Sequence, residues 1–415
     1  MTQPHVVIVG GGFAGLQCAV ELAPYRDIRV TLLDRNNYQQ FQPLLYQVAT
    51  AILSPSNAAF ALRDILRDHS NVDVQMDEAA SIDFAKRSVI TASGQTYSGD
   101  FLVLATGSRV NFYNTPGAEQ HSYPLYTLRD AESLRSAILK ALEQADLNPG
   151  NQTDGQLNFV IVGGGPTGVE LAGTLSDTLQ QLLQKEFRHA SHLHPQVHLV
   201  EAGPSVLAMF SSTSQKYAAS ALEKHGVQLR LGISVTAVTP NGVTLADGSH
   251  LTARTVIWAA GLKAATPAIQ PDPQQLHSGR IAVEKDLTVP GFANVYALGD
   301  IANALDPAGK PLPQLAAVAK QAGKHCAVNI LGTLDGKPTT PFVYSDRGIV
   351  AMIGRNAAVT ELGSEHHQLV GPFAFTAWLA IHALLLTIAR ARTEAIIEWA
   401  WQYFTGEHPG QLIDR

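Results

Sequence analysis

Cysteine is nearly absent from this chain: 415 residues hold only Cys18 and Cys326. Neither belongs to a CxxC or CxxxxC pair, so spacing excludes a redox-active dithiol and argues against a disulfide framework. Both read as small buried hydrophobes in a reducing compartment. Charge is sparse as well. Only 15% of residues are charged and the formal net charge is −6, which offers no basic surface for nucleic acid. Metal-ligand patterning is missing too: His189, His192 and His194 lie in polar sequence without a nearby carboxylate or thiol. They read as a solvated cluster, and no metal is expected. No leader-like segment is apparent, because Met1-Thr2-Gln3-Pro4 runs straight into apolar sequence, so a cytosolic catalytic body is expected.

What is present begins at the N-terminus. His5-Val6-Val7-Ile8-Val9 is an apolar strand, Gly10-Gly11-Gly12-Phe13-Ala14-Gly15 a glycine turn, and Leu16 to Ala23 a helix. In this arrangement Gly10 turns the chain and Gly12 lets backbone approach a pyrophosphate. Gly15 packs helix on strand, and the helix N-terminus offers free N–H groups to phosphate. A second strand, Val30 to Leu33, ends in Asp34, about twenty residues on, where a carboxylate meets a ribose hydroxyl. The unit recurs. Phe159 to Val162 leads into Gly163, Gly165 and Gly168, and a later strand ends in Glu201. Closing strands follow each unit, Phe101 to Gly107 and Thr255 to Gly261. The fold class expected is α/β, with two Rossmann-type dinucleotide-binding domains, and two such units suggest two dinucleotides exchanging electrons.

Between these landmarks, Phe41 to Thr50 is apolar but broken by Pro43 and by glutamines. It reads as a segment packed over a planar cofactor rather than as a core helix. A helix is expected from Asn57 through Leu66, and small inserted sheets at 72–97 and 228–251. A helix over Leu128 to Leu142 leads to a polar linker at 148–155. A strand ends in Gly299-Asp300 and precedes a helical run from Leu315 to Leu331, placing a carboxylate and a helix N-terminus before a polar ligand; the plainer reading of Asp300 is a helix cap.

The stretch from Phe373 through Ala389 is almost wholly apolar, with His382 its clearly polar side chain, and an aromatic-rich amphipathic run follows. It barely approaches the roughly twenty residues of a span. Three readings stand: a pair of helices lying in the membrane interface, a buried dimer or core helix, and a true span. The first is adopted, since tryptophan and tyrosine favour the headgroup boundary and arginine reaches anionic lipid. Deleting residues after about Gly371 is then expected to leave a soluble, cofactor-loaded body.

Nearly the whole chain resembles the type II NADH dehydrogenases, single-subunit, non-proton-pumping NADH:quinone oxidoreductases of the pyridine nucleotide-disulfide oxidoreductase-like flavoproteins. The resemblance rests on the two glycine motifs, Asp34, the block Phe41-Gln42-Pro43-Leu44-Leu45-Tyr46-Gln47, and Tyr296 to Asp300. It continues through Asp346-Arg347-Gly348, Ile353-Gly354-Arg355, and Trp378 with His382. It implies FAD and NADH as cofactors. Gly10, Gly12, Ala14, Gly15, Asp34, Arg35, Thr106, Gly107, Gly299 and Asp300 are expected on the flavin side, with Pro43 and Leu44 near the isoalloxazine. Gly163, Gly165, Gly168, Glu201 and Gly261 are expected on the NADH side. Glu201 should favour NADH, because a carboxylate accepts from a 2′-hydroxyl but repels a 2′-phosphate.

The catalytic expectations are Glu170 and Gln321. Glu170 replaces the neutral Gln17 of the first repeat; it would either complement its helix N-terminus or tune transfer to quinone near the flavin. The family often carries Ala-Gln-Val-Ala-x-Gln where this chain has Ala316-Ala317-Val318-Ala319-Lys320-Gln321, so Ala317 stands in for a glutamine of the cofactor and quinone site. The expected organisation is an FAD domain at 1–125 and 270–345, an NADH domain at 126–269, and a C-terminal membrane-attachment region at 346–415. The expected partners are NADH, a membrane quinone and the membrane surface, through the C-terminal helices on the cytoplasmic face, with a homodimer left open. The competing functions are a specialised naphthoquinone or precursor reductase, a sulfide:quinone oxidoreductase lacking placed cysteines, and a flavin-bearing redox sensor.

Overall fold

The computed structural model describes residues 3–150, 154–271, 279–363, 365–386 and 388–413. Parts of the expected linker (151–153) and of a proline-rich loop (272–278) fall outside them. The helices of ten residues or more are α1 (Phe13–Leu22), α2 (Leu128–Leu147), α3 (Pro166–Lys185), α4 (Ser212–Lys224), α5 (Ala316–Leu334), α6 (Pro372–Leu385) and α7 (Ala389–Thr405). Internal contacts divide the chain into two units, 1–40 with 60–109 and 262–345, and 41–59 with 110–261 and 346–415.

The first unit is built on a parallel sheet in the order Val295–Ala297, Phe101–Leu104, His5–Val9, Arg29–Asp34, Val72–Met76. His5–Val9 is fully buried, as expected of a strand covered on both faces. Helices α1 and α5 pack together on this sheet; a Cβ on Gly323 of α5 would overlap the Ala14 carbonyl of α1, so glycine allows their close approach. Cys18 and Cys326 meet in that core, both fully buried, and burial pushes the Cys326 thiol well up. Sequence spacing missed this neighbourhood, because α1 and α5 create it. Enclosed in the core, both remain inert hydrophobes.

The second unit repeats the plan with Tyr123–Pro124, Thr255–Trp258, Asn158–Val162, Gln196–Glu201 and Val227–Leu231, again all parallel. Helix α2 opens with a reciprocal cap. The Thr127 hydroxyl accepts from Asp130 N at 3.1 Å and the Asp130 carboxylate accepts from Thr127 N at 2.7 Å. The fold is therefore α/β with two Rossmann-type units and C-terminal helices.

Several local expectations need correction. No helix runs from Asn57 through Leu66; Pro55–Ala58 and Leu62–Ile65 are single turns separated by the strand Ala59–Ala61. The segment after Phe41 is helical after all: Gln42–Leu44 is a 3-10 turn, continued by the buried turn Leu45–Ala49. Proline at the start of that turn costs nothing, since its missing N–H would be unpaired anyway. The inserted sheets are the antiparallel strands within 79–98 and 235–252, while 72–76 and 227–231 join the parallel sheets. Ahead of the C-terminal helices stands an unanticipated antiparallel sheet, Gly348–Gly354, Ala357–Leu362 and His367–Val370.

Candidate functional site

The two glycine turns share their backbone conformation. Gly10 and Gly163 take φ of 108° and 113°, where only glycine is unstrained. A Cβ there would overlap the carbonyls of Ala105 and Ala259, which begin the loops closing each unit. Gly15 and Gly168 let α1 and α3 lie against the turns, since a Cβ would overlap the carbonyls of Gly10 and Gly163. Gly12 and Gly165 differ: a Cβ on either would meet nothing within 4 Å. Both cap their helices without a side-chain hydrogen bond. The open side of each turn thus presents uncapped helix N–H groups, which suits a pyrophosphate.

The acids occupy equivalent places. Asp34 accepts from Gly11 N at 2.6 Å and Asn36 N at 2.7 Å; Glu201 accepts from Gly164 N at 2.6 Å and Gly203 N at 2.7 Å. Each carboxylate thereby fixes the middle glycine of its turn while keeping lone pairs for another donor. Burial pushes the Asp34 carboxyl up, against the backbone N–H groups that pull it down.

In the first unit Thr106, Gly107, Gly299 and Asp300 come together with the N-terminal turn. Gly299 lies against Ala14 and Ala319, with φ 66°. Asp300 accepts from Ser108 Oγ at 2.9 Å, and Gln314 donates to that Oγ at 2.8 Å; burial raises its carboxyl. The Thr106 hydroxyl is buried without a hydrogen-bond partner. An orphaned hydroxyl beside an open glycine cradle and a buried carboxylate fits a dinucleotide such as FAD, which supplies the missing partners. Ser108 and Gln314 escaped the sequence reading because nothing local marks them. Arg35 follows Asp34 directly; Ala317 is in the first turn of α5; Gln321 spends both ends of its amide on the backbone of Ser345, at 2.9 Å each.

In the second unit Gly261, at φ 150°, closes the strand beside the second turn, where a Cβ would strike the Tyr113 hydroxyl. Pro43 and Leu44 lie in the 3-10 turn, with Leu44 fully buried.

Glu170 lies one turn into α3 and is buried. Gly173, on the same helix, brings α3 so close to the strand Gly348–Gly354 that a Cβ would overlap the Ile353 carbonyl. That approach lets Glu170 Oε1 accept from Met352 N at 3.2 Å, and the Trp378 indole of α6 donates to the same oxygen at 3.1 Å. Burial nevertheless dominates and pushes the carboxyl up to about 8. Glu170 is therefore largely protonated at neutral pH and sits where small changes recharge it. Tyr46 lies alongside, its hydroxyl donating to Met352 Sδ at 3.3 Å and accepting from Gln47 at 3.0 Å; Trp399 in turn donates to Gln47 at 2.7 Å. His382 stacks on Trp378 at 3.8 Å and shares a hydrogen bond with its carbonyl at 2.9 Å; burial lowers it to about 4, so it is neutral. Glu170 is thus an enclosed proton site framed by Trp378, Met352 and Tyr46.

Residues 4–323 match the family model of the pyridine nucleotide-disulphide oxidoreductases. The chain is 33% identical, over 98% of its length and 89% of the relative's, to a type II NADH:quinone oxidoreductase of Mycobacterium tuberculosis. It is 30% identical, over 85% and 88%, to the type II NADH:quinone oxidoreductase of Staphylococcus saprophyticus. The structure of NDH2 from Plasmodium falciparum in complex with NADH shares the fold, with a TM-score of 0.88 over all of both chains at 19% identity. The chain belongs to the pyridine nucleotide-disulphide oxidoreductase family, among its type II NADH:quinone oxidoreductases.

Proposed function

We propose that this protein is an FAD-dependent enzyme that oxidises NADH and reduces a membrane quinone without moving protons across the membrane. The observation that carries the reading is the duplicated dinucleotide cradle, each turn with its own acid, together with the buried, proton-bearing Glu170. When bound, FAD supplies the redox chemistry, accepting hydride from NADH and releasing two electrons to quinone. The chain's own residues bind and orient. Gly12 and the α1 N-terminus hold the flavin pyrophosphate, Asp34 its ribose, and Thr106 and Asp300 its inner portion, with Ala14, Arg35 and Ala317 beside it. Gly165, Gly168 and Glu201 hold NADH, with Gly261 at the mouth of the same turn. Pro43 and Leu44 are assigned to the isoalloxazine side.

Glu170 holds a proton at its carboxyl, since among the described residues only one of its oxygens accepts and burial favours the neutral acid. It is the group suited to hand that proton toward reduced quinone and recover it from solvent. Gln321 is assigned with it; its hydrogen bonds to Ser345 fix the amide, which makes it a positioning group for the acceptor end of α5. Ala317, in place of a glutamine, widens that end.

Attachment is assigned to the membrane surface, on the cytoplasmic face, through residues 346–415. Among the described residues no helix is long and apolar enough to cross a membrane. Phe373 and Phe404 are 81% and 83% exposed and Leu384 is 72% exposed, an unusual amount of bare apolar side chain. Such residues suit an interfacial pair of helices better than a solvated surface. The test is steady-state NADH oxidation by vesicle-borne quinone. NADH-dependent turnover that needs quinone supports the reading, and NADH oxidation indifferent to quinone contradicts it.

A further inference from the structure

A cavity of about 590 Å³ lies between α3, α6, α7 and the Met352–Asn356 turn, within the second unit. Its size falls in the roughly 300–1,000 Å³ of small-molecule sites. Phe375, Leu379, Ile396 and Phe404 make most of its wall apolar. One observation shows that it is more than a packing gap. At its Arg355–Asn356 end it shares both residues with a second cavity of about 190 Å³, lined also by Lys224, the last residue of α4, and by His225, which follows it.

That end is cationic. Asp177 also lines the large cavity, but one of its oxygens takes His225 at 2.6 Å and the other takes Arg355 N at 3.0 Å. The Arg355 guanidinium donates once to the Tyr403 carbonyl at 2.7 Å and lies 4.6 Å over the Tyr403 ring, which leaves further N–H donors for a ligand. Lys224 is exposed. A long apolar wall and a guanidinium beside an ammonium describe one chemistry: an alkyl chain and a phosphate.

We propose that these adjoining cavities bind one anionic lipid molecule, its acyl chain between α6 and α7 and its phosphate on Arg355 and Lys224. The site is independent of the redox reading, and binding is read without turnover. A single-chain probe suffices: 1-lauroyl-lysophosphatidylglycerol, titrated by calorimetry into the full FAD-loaded chain below micelle formation. Monolaurin lacks the phosphate and glycerol 3-phosphate lacks the chain.

The expected result is saturable one-to-one binding of the lysolipid, at least about tenfold tighter than either fragment, since every tenfold is one decade in Kd. Lys224→Glu, a substitution at an exposed position, should weaken the lysolipid about tenfold and leave monolaurin unchanged. Ala380→Phe and Ala400→Phe, both exposed positions lining the cavity, should abolish binding of both chain-bearing probes by filling the space. The proposal is overturned if the lysolipid does not saturate, if monolaurin binds as tightly, or if Ala380→Phe and Ala400→Phe bind it normally. Decylubiquinone supplies the other control. Displacement of the lysolipid by this neutral quinone at equal affinity, unaffected by Lys224→Glu, would make the cavity a quinone site instead.

Discussion

Glu170 shows how one residue is set by its surroundings. Its counterpart in the first repeat, Gln17, bonds within its own helix to Glu21 at 3.0 Å, whereas Glu170 is drawn inward by the Gly173 approach. Its folded value near 8 lies above the ordinary 4.5, so the folded state holds a proton that the unfolded state has lost between those values. Stability from this group is full below about pH 4.5, falls as pH rises toward 8 and levels off beyond. Thermal unfolding of Glu170→Gln should therefore fall less between pH 5 and 8 than that of the natural protein. In quinone reduction the same variant should lose the kcat limb near pH 8; an unchanged limb would take the proton away from Glu170. Trp378→Phe removes a donor to the charged form and should move that limb upward. At the other turn, Glu201→Gln should raise the KM for NADH with little change in kcat. A charged hydrogen bond is worth about 1.5–3 kcal/mol, or roughly tenfold to a hundredfold.

At the scale of elements, the C-terminal pair is two things at once. Trp378 is fully buried and Trp399 nearly so, while Phe373, Leu384 and Phe404 are bare. Deleting everything after Gly371 would therefore strip the donor from Glu170 and open the core, so truncation cannot leave the intact body that sequence reading expects. The informative variant is Phe373→Ser/Leu384→Ser/Phe404→Ser. It should leave the unfolding midpoint within a few degrees, because exposed positions cost about 0.5 kcal/mol or less each. Sedimentation with anionic vesicles should drop at least about tenfold, since each apolar side chain withdrawn from the interface loses about 1.5–3 kcal/mol. Undiminished sedimentation would move attachment elsewhere. The glycine turns were legible in sequence because their chemistry is local: strand, three glycines and helix are consecutive. The path from Trp399 through Gln47 and Tyr46 to Met352 was not, since its partners lie hundreds of residues apart and each looks like ordinary core alone. The broken helix at 57–66 was misjudged for a related reason. Residues 59–61 have no strong strand signature, and local propensity yielded to tertiary context.

For the whole molecule, the defining fact is repetition with one difference. Two parallel sheets share the order of four strands, the same three glycines and an acid anchoring the middle one, although the edge strand comes last in one unit and first in the other, and only the second helix buries a carboxylate five residues in. Two cradles without a redox-active dithiol leave a flavin as the link between NADH and the acceptor, and the proposed role of the enclosed Glu170 is to supply the proton that quinone reduction consumes. The direct test is anaerobic: mix the FAD-loaded protein with NADH, follow bleaching of the flavin, then add a short-chain ubiquinone or menaquinone analogue. The account predicts rapid bleaching and rapid return of colour with at least one of the two quinones. A flavin that NADH fails to bleach, or that stays bleached with both quinones, would contradict it.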